Sequence, residues 1–146
     1  MNIMLGNYHF LTRDYPSAIE ELENYLSLNP ADKRVKKKLI ICYTQVNELE
    51  KAMNLFYSLI EEDIDFIINT NPELEDCPCP DLVEKLEKEK PEHLSDYDLY
   101  LVLGILWLYC NKEKSLQYFE RAFNLNSADK RIPIIIDKIK SRLMSN

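Results

Sequence analysis

One stretch of seven residues occurs twice. Leu28-Asn29-Pro30-Ala31-Asp32-Lys33-Arg34 returns as Leu125-Asn126-Ser127-Ala128-Asp129-Lys130-Arg131, with a single substitution. In a chain of 146 residues this marks an internal repeat, and a repeat constrains the fold before any local propensity is weighed. A shorter period accompanies it. Leu5, His9, Ala18, Leu22 and Tyr25 are followed 34 residues later by Leu39, Tyr43, Ala52, Phe56 and Leu59. Around the copied heptad the offset is 97, pairing Ala18 with Ser115, Leu22 with Phe119 and Tyr25 with Ala122. Leu103-Gly104 matches Leu5-Gly6 at an offset of 98. The pattern predicts three copies, the third displaced by irregular sequence.

Each copy divides into two helical halves. Leu5, Tyr8 and Leu11, then Ile19, Leu22 and Leu26, recur at three- and four-residue spacings that share a helix face. Asp14 is placed to cap the second half, and Pro16 is tolerated in a first turn whose amides have no helical partner. Asn29-Pro30 ends it, because the residue before proline is pushed out of the helical region. The second copy runs through Leu39, Ile40 and Tyr43, turns at Asn47, and continues through Leu49, Ala52, Met53, Phe56 and Ile60. The third uses Leu99, Val102, Leu103 and Leu106, turns at Asn111-Lys112, and continues through Leu116, Phe119 and Phe123. Gly6, Ala18, Ala52, Ser115 and Ala122 are small where two helices must approach closely. A final helix, Ile132–Met144, has Ile132, Ile135, Ile136, Ile139 and Leu143 as its apolar stripe, with Ile134 off it. Such a helix suits the end of a stack, where the last apolar face needs cover.

These residues resemble the tetratricopeptide repeat family, at Leu5-Gly6, Tyr15, Ala18, Leu22 and Pro30, at Leu39, Tyr43, Ala52 and Phe56, and at Leu103-Gly104, Phe119 and Ala122. The chain departs from the family pattern at Asn2, Tyr25, Ile40 and Leu59. The resemblance implies an all-α fold, a right-handed α-α superhelix of three helix pairs plus a C-terminal capping helix, forming a single domain over residues 1–146. The copies then fall at about 1–31, 32–71 and 95–127, with an acidic insertion at about 72–94 and the capping helix at about 128–146. It also implies a concave groove lined by the first helix of each pair: Asn7, Phe10, Leu11, Arg34, Lys37, Lys38, Ile41, Gln45, Leu101, Ile105 and Leu108. That lining suits a protein or peptide segment with apolar anchors and some acidic character. Some relatives clamp the C-terminal carboxylate of heat-shock chaperones. Here Ile3 and Leu101 stand where charged clamp residues are needed, which argues against that specificity.

Charge is concentrated in one segment. Residues 1–60 carry seven acids and seven bases, residues 61–98 fourteen acids and three bases, and residues 99–146 four acids and eight bases, for a net charge of −7. No broad basic face is left to neutralise phosphates, so nucleic acid is not an expected partner. Within the acidic segment, Leu59, Ile60, Ile64, Ile67 and Ile68 keep helical spacing, which extends the second copy's last helix to about Asn69–Asn71. A proline-rich loop, Pro72 through Pro80, leads to a short helix, Leu82–Lys90, capped by Asp81 or Cys79. Ser95 with Asp98 three residues later is a variant capping box for the third copy. The insertion reads either as a solvated loop with a clip-on helix or as an intramolecular lid for a groove whose second-copy helix carries Arg34, Lys37 and Lys38.

The chemistry-bearing residues form no catalytic constellation. Cys77-Pro78-Cys79-Pro80 supplies two thiols, half of what a closed structural zinc site needs, and a disulfide between neighbours-but-one would be strained. These two thiols are expected reduced and exposed, with Cys42 and Cys110 as core fillers. His9 replaces an aromatic at a packing position, and His93 lies in a proline-bounded loop. No Gly-rich phosphate loop, nucleophile elbow or His-Glu-x-x-His helix occurs. The expectation is a non-catalytic protein-interaction module or scaffold, without metal or cofactor. A small chaperone of tetratricopeptide type for secreted or assembled partners is one alternative, and a metal- or redox-responsive regulator built on Cys77 and Cys79 is another. Leu101–Tyr109 is apolar but far shorter than the ~20 residues that span a bilayer, and the first residues lack a signal-peptide pattern. A cytoplasmic protein that does not bind membranes is expected, with exposed apolar ends that would support a homodimer.

Overall fold

The computed structural model describes residues 3–144. Over these residues the chain is helical, with no strand: α1 (Ile3–Leu11), α2 (Tyr15–Leu28), α3 (Lys33–Gln45), α4 (Leu49–Ile68), α5 (Cys79–Lys88), α6 (Asp96–Trp107), α7 (Lys112–Leu125) and α8 (Arg131–Leu143). Asn2, where the sequence departs from the family pattern, lies outside the described residues. The helices group into two compact units, Met1–Leu59 and Ile60–Asn146, and the division falls inside α4.

In the first unit α1 packs on α2 and α2 on α3. Arg13, at φ 65°, turns the chain out of α1, and the Asp14 carboxylate accepts the Ser17 amide at 3.3 Å to start α2. Pro16 occupies the first turn without loss, since its missing amide would have had no helical partner. Asn29 ends α2, its backbone N–H bonding the carbonyls of Tyr25 and Leu26. Gly6 sets the spacing of α1 and α2: a Cβ there would stand 2.9 Å from Leu22 Cδ2. Ala18, Leu22, Leu39, Ala52 and Phe56 are fully buried. Each large apolar side chain among them contributes about 1.5–3 kcal/mol.

The second copy's last helix reaches Ile68, as its spacing predicts, but it is broken at Asp63, which takes extended angles (φ −166°, ψ 81°). Asp63 stands 34 residues after Asn29, the residue that caps α2. The helix therefore ends where the first copy's does, and a further helical turn and more begins beyond the break. Continuous isoleucine spacing across the break conceals it in the sequence.

In the second unit α5 packs on α6, α6 on α7 and α7 on α8. Ser95 accepts the Asp98 amide at 3.1 Å, as the capping box predicts, and Asn111 accepts that of Lys114 at 3.0 Å. Residues 101–106 of α6 are all buried, in a helix on which both α5 and α7 pack. A Cβ on Gly104 would fall 2.8 Å from the Phe119 ring, and Ser115 Oγ donates to the Gly104 carbonyl at 2.6 Å. The crossing that Gly6 makes with Leu22 in the first unit is thus made by Gly104 with Phe119 in the second. The insertion helix begins at Cys79 and ends at Lys88, earlier than expected at both ends, and Pro78 takes the capping position with no side-chain bond. Asp81, expected as a cap, lies inside the first turn. Pro80 explains the shift, since its fixed φ suits a first helical turn better than a loop end. On α8, Ile132, Ile135, Ile136 and Ile139 are buried and Ile134 is exposed.

Candidate functional site

The first-helix residues of the first unit meet at one point. Lys38 Nζ donates to Asn7 Oδ1 at 2.7 Å, joining α3 to α1, and lies 5.8 Å from the centre of the Phe10 ring. Arg13 approaches the same ring at 5.9 Å and donates to the Phe10 carbonyl at 3.1 Å. Phe10 is buried beneath the two cations, whereas Leu11 beside it is 51% exposed. Glu23 of α2 makes contacts on another side. Tyr43 of α3 donates a short hydrogen bond to Glu23 of α2, and Lys51, in the first half of α4, stands 4.0 Å from the same carboxylate. Burial and the Glu23 bond push the Tyr43 phenol well above its ordinary value.

The remaining residues expected in the lining are distributed differently. Arg34 is exposed, but its backbone and guanidinium bond Asp32 at 3.0, 3.3 and 3.2 Å, so its charge is matched locally. Burial raises the Asp32 carboxyl, and the Arg34 and backbone bonds outweigh it, leaving the group below its ordinary value. Lys37 and Ile41 are buried, and Gln45 is half-buried, donating to Thr44 Oγ1 at 3.2 Å. Leu101, Ile105 and Leu108 are buried in the second unit. Rather than forming an open lining, Leu101 and Ile105 belong to α6, on which the insertion's α5 packs, and Leu108 caps the end of that helix.

Sequence reasoning missed how α5 is held. Glu87 Oε2 accepts a bond from Trp107 Nε1 at 3.3 Å and a short one from the Tyr118 hydroxyl, tying α5 to α6 and α7. Burial, then the Glu87 bond, pushes the Tyr118 phenol up to about 12. Lys114 lies 4.4 Å from the centre of the Trp107 ring, and Arg121 lies 5.1 Å from that of Tyr118 and 5.9 Å from that of Tyr100. The one tryptophan of the chain was the available signal, since an indole N–H at a helix surface calls for an acceptor. A cleft of about 460 Å³, also missed, lies beside the Asp63 break, with Ile60, Ile64 and Ile134 among apolar lining residues and Glu61, Glu62 and Asp137 among acidic ones. Arg142, at its edge, pairs with Asp65 at 2.7 Å.

The cysteines fall out differently from expectation. Cys79 is buried, because it opens α5 on the side that meets the core, and Cys77 is half-buried. Cys42 is buried, and desolvation pushes its thiol up to about 12. Cys110, expected in the core, is exposed in the turn after α6. Partial desolvation and the nearby Cys77 thiol push it up to about 11. Neither Cys42 nor Cys110 is a thiolate at neutral pH, the form that reactive and metal-binding cysteines use. Among the described residues no group of three or more His, Cys, Asp or Glu side chains is placed to hold a metal, and no helix is long and apolar enough to cross a membrane. His9 is half-buried, 3.7 Å from Asp14, and His93 is exposed.

Compared with known proteins, the chain matches no family model, no curated protein and no solved structure.

Proposed function

We propose that this chain is a non-catalytic protein-interaction module built from helix pairs of the tetratricopeptide kind, and that it binds a partner segment on the faces of its first helices. The observation that carries the reading is the Lys38–Asn7 bond at 2.7 Å, which links α3 to α1 through one pair of side chains. First helices of consecutive pairs lying side by side are what a partner-binding face of this family requires. The 4.0 Å approach of Lys51 on α4 to Glu23 on α2 supports the complementary side, where second helices face each other. Two further features support the reading. Gly6 against Leu22 and Gly104 against Phe119 are the same close crossing at equivalent places, and in both copied heptads the aspartate accepts the backbone amide and guanidinium of the arginine two residues on, Arg34 at Asp32 and Arg131 at Asp129.

The face in the first unit offers Lys38, bonded to Asn7, as its cation and the exposed Leu11 as an apolar contact. It suits a segment that pairs an apolar anchor with a carboxylate, the latter drawn to the Lys38 ammonium. Selection from a displayed peptide library is expected to enrich sequences that combine acidic and large apolar residues. Lys38→Glu, with its helix content checked by circular dichroism, is expected to abolish that enrichment. If the folded variant selects the same peptides as the parent chain, the proposed face is wrong.

A further inference from the structure

The short helix of the insertion looks unlike the rest of the second unit in how it is secured. α5 buries Cys79 and Val83, leaves Leu82 and Leu86 half-covered, and starts at Pro78 with no side-chain cap. It is flanked by the loops 69–78 and 89–95, both containing proline. Its specific attachment is the Glu87 carboxylate, which sits between the Trp107 and Tyr118 donors, with Lys114 and Arg121 stacked on those same rings. Two ring donors flanked by two cations make a site complementary to a carboxylate carried on an amphipathic helix. Tryptophan, tyrosine and arginine are also the residues that dominate binding energy at protein interfaces.

We infer that the α6–α7 surface is a docking site for an amphipathic helix of a partner protein carrying an acidic side chain, and that α5 is its intramolecular occupant. The chemistry of the partner is read from the segment seated there: apolar residues at the spacing of Cys79, Val83 and Leu86, and a carboxylate at the place of Glu87. A short tether holds α5 at roughly millimolar effective concentration. A partner helix must therefore outcompete α5, and its apparent affinity is lowered by the fraction of time the site is closed. This deepens the proposed function and rests on it, since α6 is the first helix of the third copy.

The test uses the full chain, with a labelled peptide copying residues 79–90 as the probe. Val83→Asp with Glu87→Gln loosens α5 without altering the receiving surface. The doubly substituted chain is expected to bind the peptide at least about tenfold more tightly than the parent chain, as tethered competition requires. A peptide carrying its own Glu87→Gln change is expected to bind more weakly. Trp107 emission, the chain's single indole signal, should shift to the red in the loosened chain and recover on adding peptide. Equal binding by the two chains, or none by either, overturns the inference. Hydrogen exchange on the unmodified chain gives a separate reading that does not depend on the variant folding. Amides of α5 are expected to exchange faster than those of α6 and α7, and equal protection would show that α5 does not open alone. Acidic-peptide selection lost in Lys38→Glu but unaffected by loosening α5 would remove this inference and leave the general reading standing.

Discussion

Gly104 and Gly6 occupy equivalent places, yet their surroundings give them different tolerance. A methyl group on Gly104 would stand 2.8, 2.9 and 3.0 Å from three atoms of the Phe119 ring, a fully buried side chain with no soft end to move. On Gly6 the nearest atom is Leu22 Cδ2 at 2.9 Å, the tip of a branched chain that can change rotamer. Overpacking a core costs about 1–3 kcal/mol. Alanine recovers roughly 1 kcal/mol of helix propensity over glycine. Gly104→Ala is therefore expected to destabilise the fold by about 1 kcal/mol net, and Gly6→Ala to be nearly neutral. Urea denaturation of the two variants beside the parent chain measures the difference. A Gly104→Ala midpoint equal to that of Gly6→Ala would mean that the α6–α7 crossing has more slack than the distances allow.

Helix starts carry the second expectation, because the two copied heptads both end in an aspartate-arginine pair at the start of a helix. At α3 the Asp32 side chain caps the amides of Arg34 and Val35 at 3.0 and 3.4 Å. At α8 Asp129 accepts the Arg131 amide at 2.9 Å and its guanidinium Nη2 at 2.7 Å. The Arg131 bond holds the Asp129 carboxyl below its ordinary 3.8 despite partial burial. A lowered folded value means that the stabilisation is fully present above the unfolded value and is lost as pH falls through the folded one. Unfolding free energy should thus decline below about pH 4, and Asp129→Asn should flatten part of that decline while changing little of the slope between about pH 5 and 7. Urea titrations across that range decide it, and an unchanged acid limb in Asp129→Asn would rule out the linkage. These caps were legible in the sequence because capping is local: Asp14, Ser95 and Asn111 all accept the amide three residues on. The Asp63 break was not, since its apolar neighbours keep helical spacing on both sides and only the comparison with Asn29, 34 residues earlier, marks it. Nor was the Glu87 site, which joins residues 20 and 31 positions apart on three helices. Side-chain spacing within one helix carries no record of such a contact. The same limit applies to Leu101, Ile105 and Leu108: their helix and face were readable, but the helix packed over α6 was not.

At the scale of the whole molecule the charge divides with the packing. Met1–Leu59 holds equal numbers of acids and bases, whereas Ile60–Asn146 holds eighteen acids against eleven bases and so carries all of the net charge of −7. Several of those acids are matched at short range, as in Asp65 with Arg142, Asp96 with Lys90 and Glu84 with Lys88. Exposed pairs of this kind each contribute about 0–1 kcal/mol at most. They do not remove the second unit's excess of acids, which is a source of repulsion that acts over several ångströms. Screening shortens the reach of that repulsion from about 30 Å at 0.01 M salt to about 8 Å at 0.15 M. Raising sodium chloride across this range should therefore slow exchange of the most protected amides of the second unit, on α6 and α7. Those of the first unit, on α2 and α3, where charges balance, should change less. Hydrophobic stabilisation by salt would act on both units alike at these modest concentrations, so the contrast between them isolates the electrostatic part. Amide exchange resolved by residue makes the comparison within one sample. Equal slowing in both units, or faster exchange in the second, would show that its local ion pairs already offset the excess of acids.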